Sequence, residues 1–164
     1  MTTGACFCGT FDPPTLGHLD IARRAALLFG HVTVAIGRNA AKHPMLSVET
    51  RELLLREALA PLGNQADVAV FDGLATSFCR TLKCRVLVRG VRSGSDLEDE
   101  ADMAFTNREL APDVETVLLL PAASYAHVSS RLIREIAHAG GDLSRYIPAG
   151  VAAALQARLP RSSK

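Results

Sequence analysis

Short apolar runs alternate with longer amphipathic segments along the chain. The apolar runs predict five β-strands, at residues 5–8, 32–36, 67–71, 85–89 and 116–121. Between them, apolar residues recur every three or four positions, which predicts helices at residues 16–30, 47–63, 74–83 and 96–113. Two more helical segments, residues 129–141 and 150–159, follow the last strand.

This order of elements predicts an α/β fold of the doubly wound, Rossmann-like class. Short, almost wholly apolar strands separated by helices indicate a five-stranded parallel sheet with helices on both faces and right-handed crossovers. Ser47 is a predicted helix N-cap, and Gly30 and Gly63 are predicted C-caps. A length of 164 residues fits a single domain, which we place at residues 1–159, before a flexible polar tail at 160–164.

The composition narrows the possible partners. Charged residues make up 21% of the chain and the net charge is only +1, so we expect no nucleic acid as a partner. Four cysteines without CxxC spacing favour reduced, buried thiols over a zinc site. Without a basic, apolar leader or an apolar stretch of about 20 residues, we expect a cytoplasmic protein with no membrane partner and no disulfides.

The loops that follow the predicted strands are rich in hydrogen-bonding and cationic residues. In a sheet of this class, ligands bind beyond the carboxyl ends of the strands. The loops there read "GTFDPPTLGH" (9–18), "GRNAAKHPM" (37–45), "GVRSGSDLEDE" (90–100) and "AASYAHVSSR" (122–131). We therefore expect the binding site where these four loops meet.

The loop after the first strand suits a phosphate group. Gly9 lets the backbone approach a ligand, Thr10 offers a hydroxyl, and two prolines stiffen the bend. His18 stands at the start of a helix, where free N–H groups and the helix dipole favour an anion. Taken alone, His18 is better explained as a histidine at a helix start that faces water, since single histidines are commonly structural or exposed.

The cationic residues also have two interpretations. Separately, Lys42, Arg89 and Arg92 are ordinary solvated charges. Arg89, however, follows a buried apolar run and should emerge at the ligand edge of the sheet. Together the three side chains would form a cluster of the size that binds a polyphosphate.

Two further segments can be explained either by a ligand site or by their place at the start of a helix. The acidic residues of 96–102 resemble a metal site, but acidic side chains at the start of a helix are the ordinary explanation, with Glu100 facing the site. Residues 128–131, "VSSR", suit phosphate at a helix start, whereas Ser129 or Ser130 would equally serve as an N-cap. We find neither a nucleophilic triad nor a P-loop sequence, so the pattern favours phosphoryl or nucleotidyl transfer by positioning and charge stabilisation.

Two of these segments resemble known signatures. "GTFDPPTLGH" resembles the T/HxGH signature of the nucleotidyltransferase superfamily, and "VSSRLIR" resembles its second signature, ISSTxxR. "KHPM" (42–45), "RGVRSGSDLEDE" (89–100) and "TNREL" (106–110) are more specific. With them, residues 4–159 resemble the bacterial phosphopantetheine adenylyltransferases.

The resemblance implies a reaction. The phosphate of 4'-phosphopantetheine would attack the α-phosphorus of ATP in line, with Mg²⁺, giving dephospho-coenzyme A and pyrophosphate without a covalent enzyme intermediate. Adenylyltransferases for pyridine mononucleotides share the two general signatures and are the alternative. A nucleotide-binding module without activity is a second alternative, although Thr10, His18, Lys42 and Arg89 are all present.

The resemblance also implies roles for individual residues. Thr10 would orient the attacking phosphate, His18 would stabilise charge on the α-phosphate, and no residue is implied as a metal ligand. Lys42 and Arg89 would bind the substrate phosphate and the transition state, with Ala75 and Asn107 near the pantetheine arm. The implied ATP site comprises Thr10, Phe11, His18, Arg89, Gly90, Val91, Arg92, Glu100, Tyr125, Ala126, His127, Val128, Ser129, Ser130 and Arg131.

The resemblance further implies a homohexamer with feedback inhibition by coenzyme A. Four positions depart from the usual family pattern. Cys8 replaces a proline, Ala75 a larger apolar residue, His127 an aromatic residue and Arg131 a small hydroxyl residue. We expect Arg131 to replace a hydroxyl contact to the triphosphate by a cationic one.

Overall fold

A computed structural model describes residues 4–38 and 44–158 of the chain. Its strands are β1 (Ala5–Gly9), β2 (Val32–Gly37), β3 (Ala66–Phe71), β4 (Val86–Gly90) and β5 (Glu115–Leu119). They form one sheet in the order β3-β2-β1-β4-β5, and every pair is parallel. The predicted five-stranded, doubly wound sheet is therefore confirmed, and β1 lies at its centre.

Six α-helices connect and follow the strands in the described residues. They are α1 (Leu16–Phe29), α2 (Val48–Leu59), α3 (Ala75–Thr81), α4 (Gly94–Leu110), α5 (Ser130–His138) and α6 (Ala149–Arg158), with short 3-10 segments at Ala60–Gln65 and Ala123–Tyr125. Among the helices that the structure describes, none has the length and apolarity needed to cross a membrane.

Alternate residues of β1 enter two different cores. Ala5 and Phe7 pack in a front core that contains apolar residues of α1 and α2. Cys6 and Cys8 pack in a rear core with Cys79 of α3. Because strand side chains alternate between faces, a strand buried on both sides requires helices on both faces of the sheet. This part of the prediction is confirmed as well.

A third core joins the C-terminal helices to α2. It contains Leu54 of α2, Ile133 of α5 and Val151 of α6, all almost fully buried. The N-terminus of α5 is thereby placed beside the loop that follows β1, where the Ser130 hydroxyl donates to the Pro13 carbonyl oxygen at 2.9 Å.

Two of the three predicted helix caps are confirmed. The Ser47 hydroxyl accepts a bond from the Thr50 N–H at 3.2 Å, and Gly30 ends α1 in a left-handed conformation with φ 78°. The Gly63 prediction is wrong, because α2 ends at Leu59. Pro61 has no N–H to continue the helical ladder, so the chain passes into a 3-10 segment in which Gly63 interrupts the helical dihedrals.

The observed element boundaries differ from the predicted ones by a few residues. Helix α4 begins at Gly94, two residues before the predicted start, because Ser93 accepts from the Asp96 N–H and caps it. Strand β5 ends at Leu119, whereas the apolar run predicted a strand to residue 121. The predicted domain end at 159 and the predicted tail at 160–164 lie outside the described residues.

Candidate active site

A cleft of about 560 Å³ lies against the carboxyl ends of β1 and β4. This volume is in the usual range for a small-molecule site. Most of the predicted site residues line it: Thr10, Phe11, His18, Arg89, Gly90, Arg92, Glu100, Tyr125, Val128, Ser129, Ser130 and Arg131. The loops after β1, β4 and β5 therefore meet as the sequence predicted.

The loop after β1 forms the floor of the cleft, a name used below for residues 9–18. Phe11 has a φ of +50°, a left-handed conformation that costs an ordinary side chain about 1–2 kcal/mol. Its ring meets the His18 ring edge-on, with centroids 5.0 Å apart. A Cβ on Gly9 would lie 2.9 Å from the Phe11 ring, so this turn requires glycine there.

Hydrogen bonds from Thr15 hold the His18 imidazole. The Thr15 N–H donates to His18 Nδ1 at 3.1 Å, and the Thr15 hydroxyl lies 3.1 Å from the same nitrogen. In return, the His18 N–H donates to the Thr15 hydroxyl at 3.3 Å, which completes a capping box at the start of α1. Because Nδ1 accepts, the ring proton of a neutral imidazole lies on Nε2.

The surroundings of His18 favour its neutral form. Burial, with smaller contributions from the positive charges of Arg92 and Arg89, lowers the His18 pKa from 6.5 to about 4. At neutral pH, His18 is therefore an uncharged donor through Nε2–H. His18 is half-buried, lines the cleft and is fixed by Thr15 in a capping box, so it does not simply point away into water, and its part in a reaction stays a prediction.

Arg89 reaches the cleft from the end of β4, as predicted. It donates from Nε and Nη2 to the two carboxylate oxygens of Glu100, at 2.7 and 2.6 Å, and from Nη1 to the Cys8 carbonyl oxygen at 2.6 Å. Burial opposes the charge of Arg89, but the bonds to Glu100 outweigh it and the pKa of Arg89 is raised. Glu100 thus faces the cleft as the partner of Arg89.

The other arginines predicted at the site are also paired with carboxylates. Arg92 donates to Asp96 at 2.9 Å, and Arg131, whose side chain is 85% exposed, donates to Glu135 at 3.0 Å. We call Arg89, Arg92 and Arg131 the rim of the cleft. Each rim cation is already partly neutralised by a carboxylate.

The hydroxyls of the second signature serve the fold. Ser129 is the N-cap of α5 and accepts from the Leu132 N–H at 3.0 Å. Ser130 donates to the Pro13 carbonyl oxygen. The N-cap alternative is therefore confirmed for Ser129. Both residues still line the cleft, where the N-terminal end of α5 offers backbone N–H groups and a favourable dipole to an anion.

Some predicted site residues do not line the cleft. They are Ala75, Val91, Asn107, Ala126 and His127. Ala75 packs against the rear core, and Asn107 is buried near the end of α4 with its amide 3.5 Å from the Thr116 hydroxyl. The exposed His127 meets the Tyr146 ring edge-on. Lys42 lies outside the described residues.

Thr15 and Arg134 line the cleft although the sequence analysis assigned them no role. Thr15 stands three residues before His18, which is the spacing of a capping box, so the sequence contained a signal for it. Arg134 stands one helical turn after Ser130 and donates to the Asp12 carbonyl oxygen, close to the Asp12 carboxylate. The sequence signal for Arg134 was its spacing of four residues from Ser130, which places both side chains on one face of α5.

Among the described residues, no three histidine, cysteine or acidic side chains converge to hold a metal ion. In the acidic segment 96–102, Asp96 and Glu100 bind arginines instead. The four cysteines are free and buried, as expected.

Comparison with known proteins identifies the family. Residues 6–136 match the cytidylyltransferase-like family model. A phosphopantetheine adenylyltransferase of Thioalkalivibrio sulfidiphilus is 48% identical over 159 residues, 97% of this chain and 99% of the relative. One from an Azoarcus species is 45% identical over 155 residues, 94% of each. The chain belongs to the phosphopantetheine adenylyltransferase family.

A solved structure supports the fold of this family member. It is a putative nicotinate-nucleotide adenylyltransferase from Vibrio parahaemolyticus, with a TM-score of 0.67 over 97% of this chain and 95% of that chain. At 18% identity the likeness concerns the fold alone. The resemblance proposed from the sequence signatures is confirmed at the level of the family.

Proposed function

We infer that this protein transfers the adenylyl group of ATP to 4'-phosphopantetheine, releasing pyrophosphate and forming dephospho-coenzyme A, a step in coenzyme A biosynthesis. The observation that carries this is the identity of 48% with a named relative that the chain matches from end to end. The cleft supports it, because its donors suit phosphate groups.

In the reaction we propose, an oxygen of the acceptor phosphate attacks the α-phosphorus of ATP as the bond to the pyrophosphate oxygen breaks. The acceptor phosphate is itself the nucleophile, so no covalent enzyme intermediate is needed. His18 donates from Nε2–H to a non-bridging oxygen of the α-phosphate. Thr10 orients the incoming phosphate through its hydroxyl. Fixed donors of this kind are effective because they need no rearrangement as charge develops.

The rim would bind the triphosphate by exchanging partners. Arg89 and Arg92 would each transfer hydrogen bonds from a carboxylate to a phosphate oxygen, while the first turns of α1 and α5 would face the phosphates. Lys42 remains, as in the sequence analysis, a predicted ligand of the acceptor phosphate. Ala75 and Asn107 remain predicted contacts of a pantetheine arm that would extend beyond the cleft.

Magnesium is part of this proposal as a companion of ATP. Among the described residues, no three acidic, histidine or cysteine side chains of the cleft converge on one point to hold the ion. The triphosphate oxygens would therefore supply most of its ligands, an arrangement common for Mg²⁺. When bound, the ion neutralises charge on the phosphates.

The test is turnover with two acceptors. Purified protein is incubated with ATP, MgCl₂ and either 4'-phosphopantetheine or nicotinate mononucleotide, and pyrophosphate and the adenylylated product are measured. We expect turnover with 4'-phosphopantetheine. Turnover only with the mononucleotide would replace the proposal by the pyridine-nucleotide activity. ATP binding without pyrophosphate release from either acceptor would favour a non-catalytic module. Omission of MgCl₂ tests the need for the metal.

We also propose a homohexamer, inhibition by coenzyme A and a cytoplasmic location. Four large apolar side chains of α4 are exposed, which fits a helix that other copies of this chain cover in an oligomer. They are Leu97, Met103, Phe105 and Leu110. Coenzyme A contains the product's adenylyl and pantetheine groups and would compete for the same cleft. Light scattering, assays with added coenzyme A, and cell fractionation test these three points in turn.

A further inference from the structure

Arg51 is a buried cation that bonds to the floor of the cleft. It lies in the first turns of α2 and is 2% exposed. Its Nη1 donates to the Thr10 carbonyl oxygen at 2.6 Å, and its Nε donates to the carbonyl oxygens of Leu46 and Ser47 at 3.0 and 3.3 Å. The guanidinium therefore joins the floor to the segment that starts α2.

The Asp12 carboxylate also joins the floor to the segment that starts α2. Asp12 is 5% exposed, and its carboxylate accepts from the N–H groups of Met45 and Leu46 at 2.8 and 2.9 Å. Leu46 is thus held through its N–H by Asp12 and through its carbonyl by Arg51. Burial lowers the pKa of Arg51, with Asp12 opposing this effect. Two buried charges of opposite sign hold this junction.

The bond to Thr10 falls at a strained point of the floor. The Thr10 carbonyl belongs to the peptide group that leads into Phe11, whose φ is +50°. The Phe11 ring in turn packs edge-on against the His18 ring. A left-handed residue with a side chain persists only where its surroundings hold it, and Arg51 is a buried group bonded directly to this peptide.

We propose that Arg51 is a positioning residue of the active site: its bond to the Thr10 carbonyl fixes the Thr10–Phe11 turn, and so the place of the Thr10 hydroxyl and the His18 ring. The inference rests on the proposed function, because it assumes that Thr10 acts on a phosphate. Neighbouring residues of α2 that face inward, Leu54, Leu55 and Leu59, are apolar. These leucines cannot donate a hydrogen bond, whereas the buried guanidinium of Arg51 donates one to the Thr10 carbonyl of the floor.

Arg51→Lys tests the proposal, with Arg56→Lys as a matched control. Lysine keeps the charge but lacks the planar fork that reaches Thr10 and Leu46 together. Arg56 lies on the same helix and also donates to a backbone carbonyl, that of Val68 at 2.7 Å. Its contact is to β3, which contributes nothing to the lining of the cleft. Each variant therefore loses a bond from α2 to a distant backbone carbonyl, but only R51K loses a bond to the floor.

Kinetics and binding are measured well below the melting temperature of each variant. We expect R51K to lower kcat about tenfold and to change the ATP Kd by less than about twofold. R56K should leave both values unchanged. An R51K kcat equal to that of the wild type overturns the proposal. If R51K does not fold, it is replaced in the same comparison by Arg51→Gln, whose amide N–H lies at the level of Nε and can still bond to the Leu46 carbonyl but does not reach Thr10.

A double-mutant cycle separates positioning from general stability. If Arg51 acts through Thr10, adding R51K to Thr10→Ala lowers kcat by much less than R51K does alone. A purely structural role would multiply the two losses, and that result would overturn the proposal. If the wild type prefers nicotinate mononucleotide, the cycle is run with that acceptor.

The Thr10 methyl signal in a ¹³C NMR spectrum, assigned by its absence in Thr10→Ala, needs no turnover. It should shift in R51K and stay in place in R56K. A wild type without turnover on either acceptor would refute the proposed function, yet this signal would still decide the role of Arg51. An unchanged signal in R51K would overturn the positioning role.

Discussion

The floor and the rim of the cleft are built in opposite ways. In the floor, Thr10, Thr15 and His18 bond to groups that stay in place: Arg51, the backbone and each other. In the rim, the arginines bond to carboxylates, and Arg131 with its partner Glu135 is largely exposed. The floor is organised before a ligand arrives, whereas the rim must release one anion to bind another.

This difference separates two tasks. Donors that are already fixed act on the charge that develops in the transition state, and their loss appears in kcat. Exposed ion pairs contribute little to stability and are screened by salt, so Arg92 and Arg131 of the rim should act mainly on ATP binding. Substitutions in the two regions should therefore affect different kinetic constants.

His18→Ala should have the largest effect. We expect kcat to fall by about 10²-fold or more, the scale for loss of one preorganised donor, with the ATP Kd nearly unchanged. Steady-state kinetics and calorimetric titration with ATP measure the two values. A normal kcat would remove His18 from the reaction.

Thr15→Val should have the next largest effect, because it removes the hydroxyl that accepts from the His18 N–H. We expect a loss of about 1 kcal/mol in unfolding free energy, as for other N-caps, and a kcat lower by about tenfold. Thr15→Ser, which keeps the hydroxyl, is the control. In ¹⁵N spectra of the histidine ring, wild-type His18 should show the Nε2–H form. If Thr15→Val retains full activity, the floor does not depend on this cap.

Arg92→Ala tests the rim. We expect the KM for ATP to rise about fivefold with a smaller change in kcat, because a single exposed charge is worth about 1 kcal/mol. Added NaCl should raise the KM of the wild type more than that of the variant, since the variant has one charge fewer to screen. A fall in kcat alone would place Arg92 with the floor.

The low pKa of His18 predicts how stability depends on pH. Between pH 6.5 and about pH 4, the unfolded chain protonates His18 and the folded chain does not. The contribution of His18 to stability is therefore fully present above pH 6.5 and is lost as the pH falls towards 4. Melting temperatures over this range should fall less steeply in His18→Ala than in the wild type. Parallel curves would show that the floor does not exclude the charged imidazole.

Arg131→Ala should have the smallest effect. Its side chain is 85% exposed and its partner Glu135 is on the next helical turn. We expect the unfolding free energy to change by less than about 0.5 kcal/mol and the KM for ATP by less than about twofold. A larger rise in KM would show that Arg131 compensates for the hydroxyl that is usual at this position.

The five-stranded parallel sheet, its doubly wound class and the loops that meet at the cleft were predictable, because apolar runs and helical spacing are local properties of the sequence. Ser47 and Gly30 were predictable as caps for the same reason. The partners of the cations were not, since Glu100 meets Arg89 only once α4 packs against β5, the strand beside β4. Arg51 stands among charged residues of α2, and no local pattern distinguishes a buried arginine there from an exposed one such as Arg56.

The buried thiols on the rear face of the sheet can be used to measure opening of the structure next to the floor. Cys6, Cys8, Cys79 and Cys84 are at most 5% exposed. A thiol reagent in solution can reach such buried groups only when the packing around them opens, and β1, which carries Cys6 and Cys8, leads directly into the floor. The rate at which such a reagent labels Cys6 and Cys8 in the native protein therefore measures how often the packing around this strand opens. A ligand that ties the floor to the rim should slow that labelling in proportion to its occupancy.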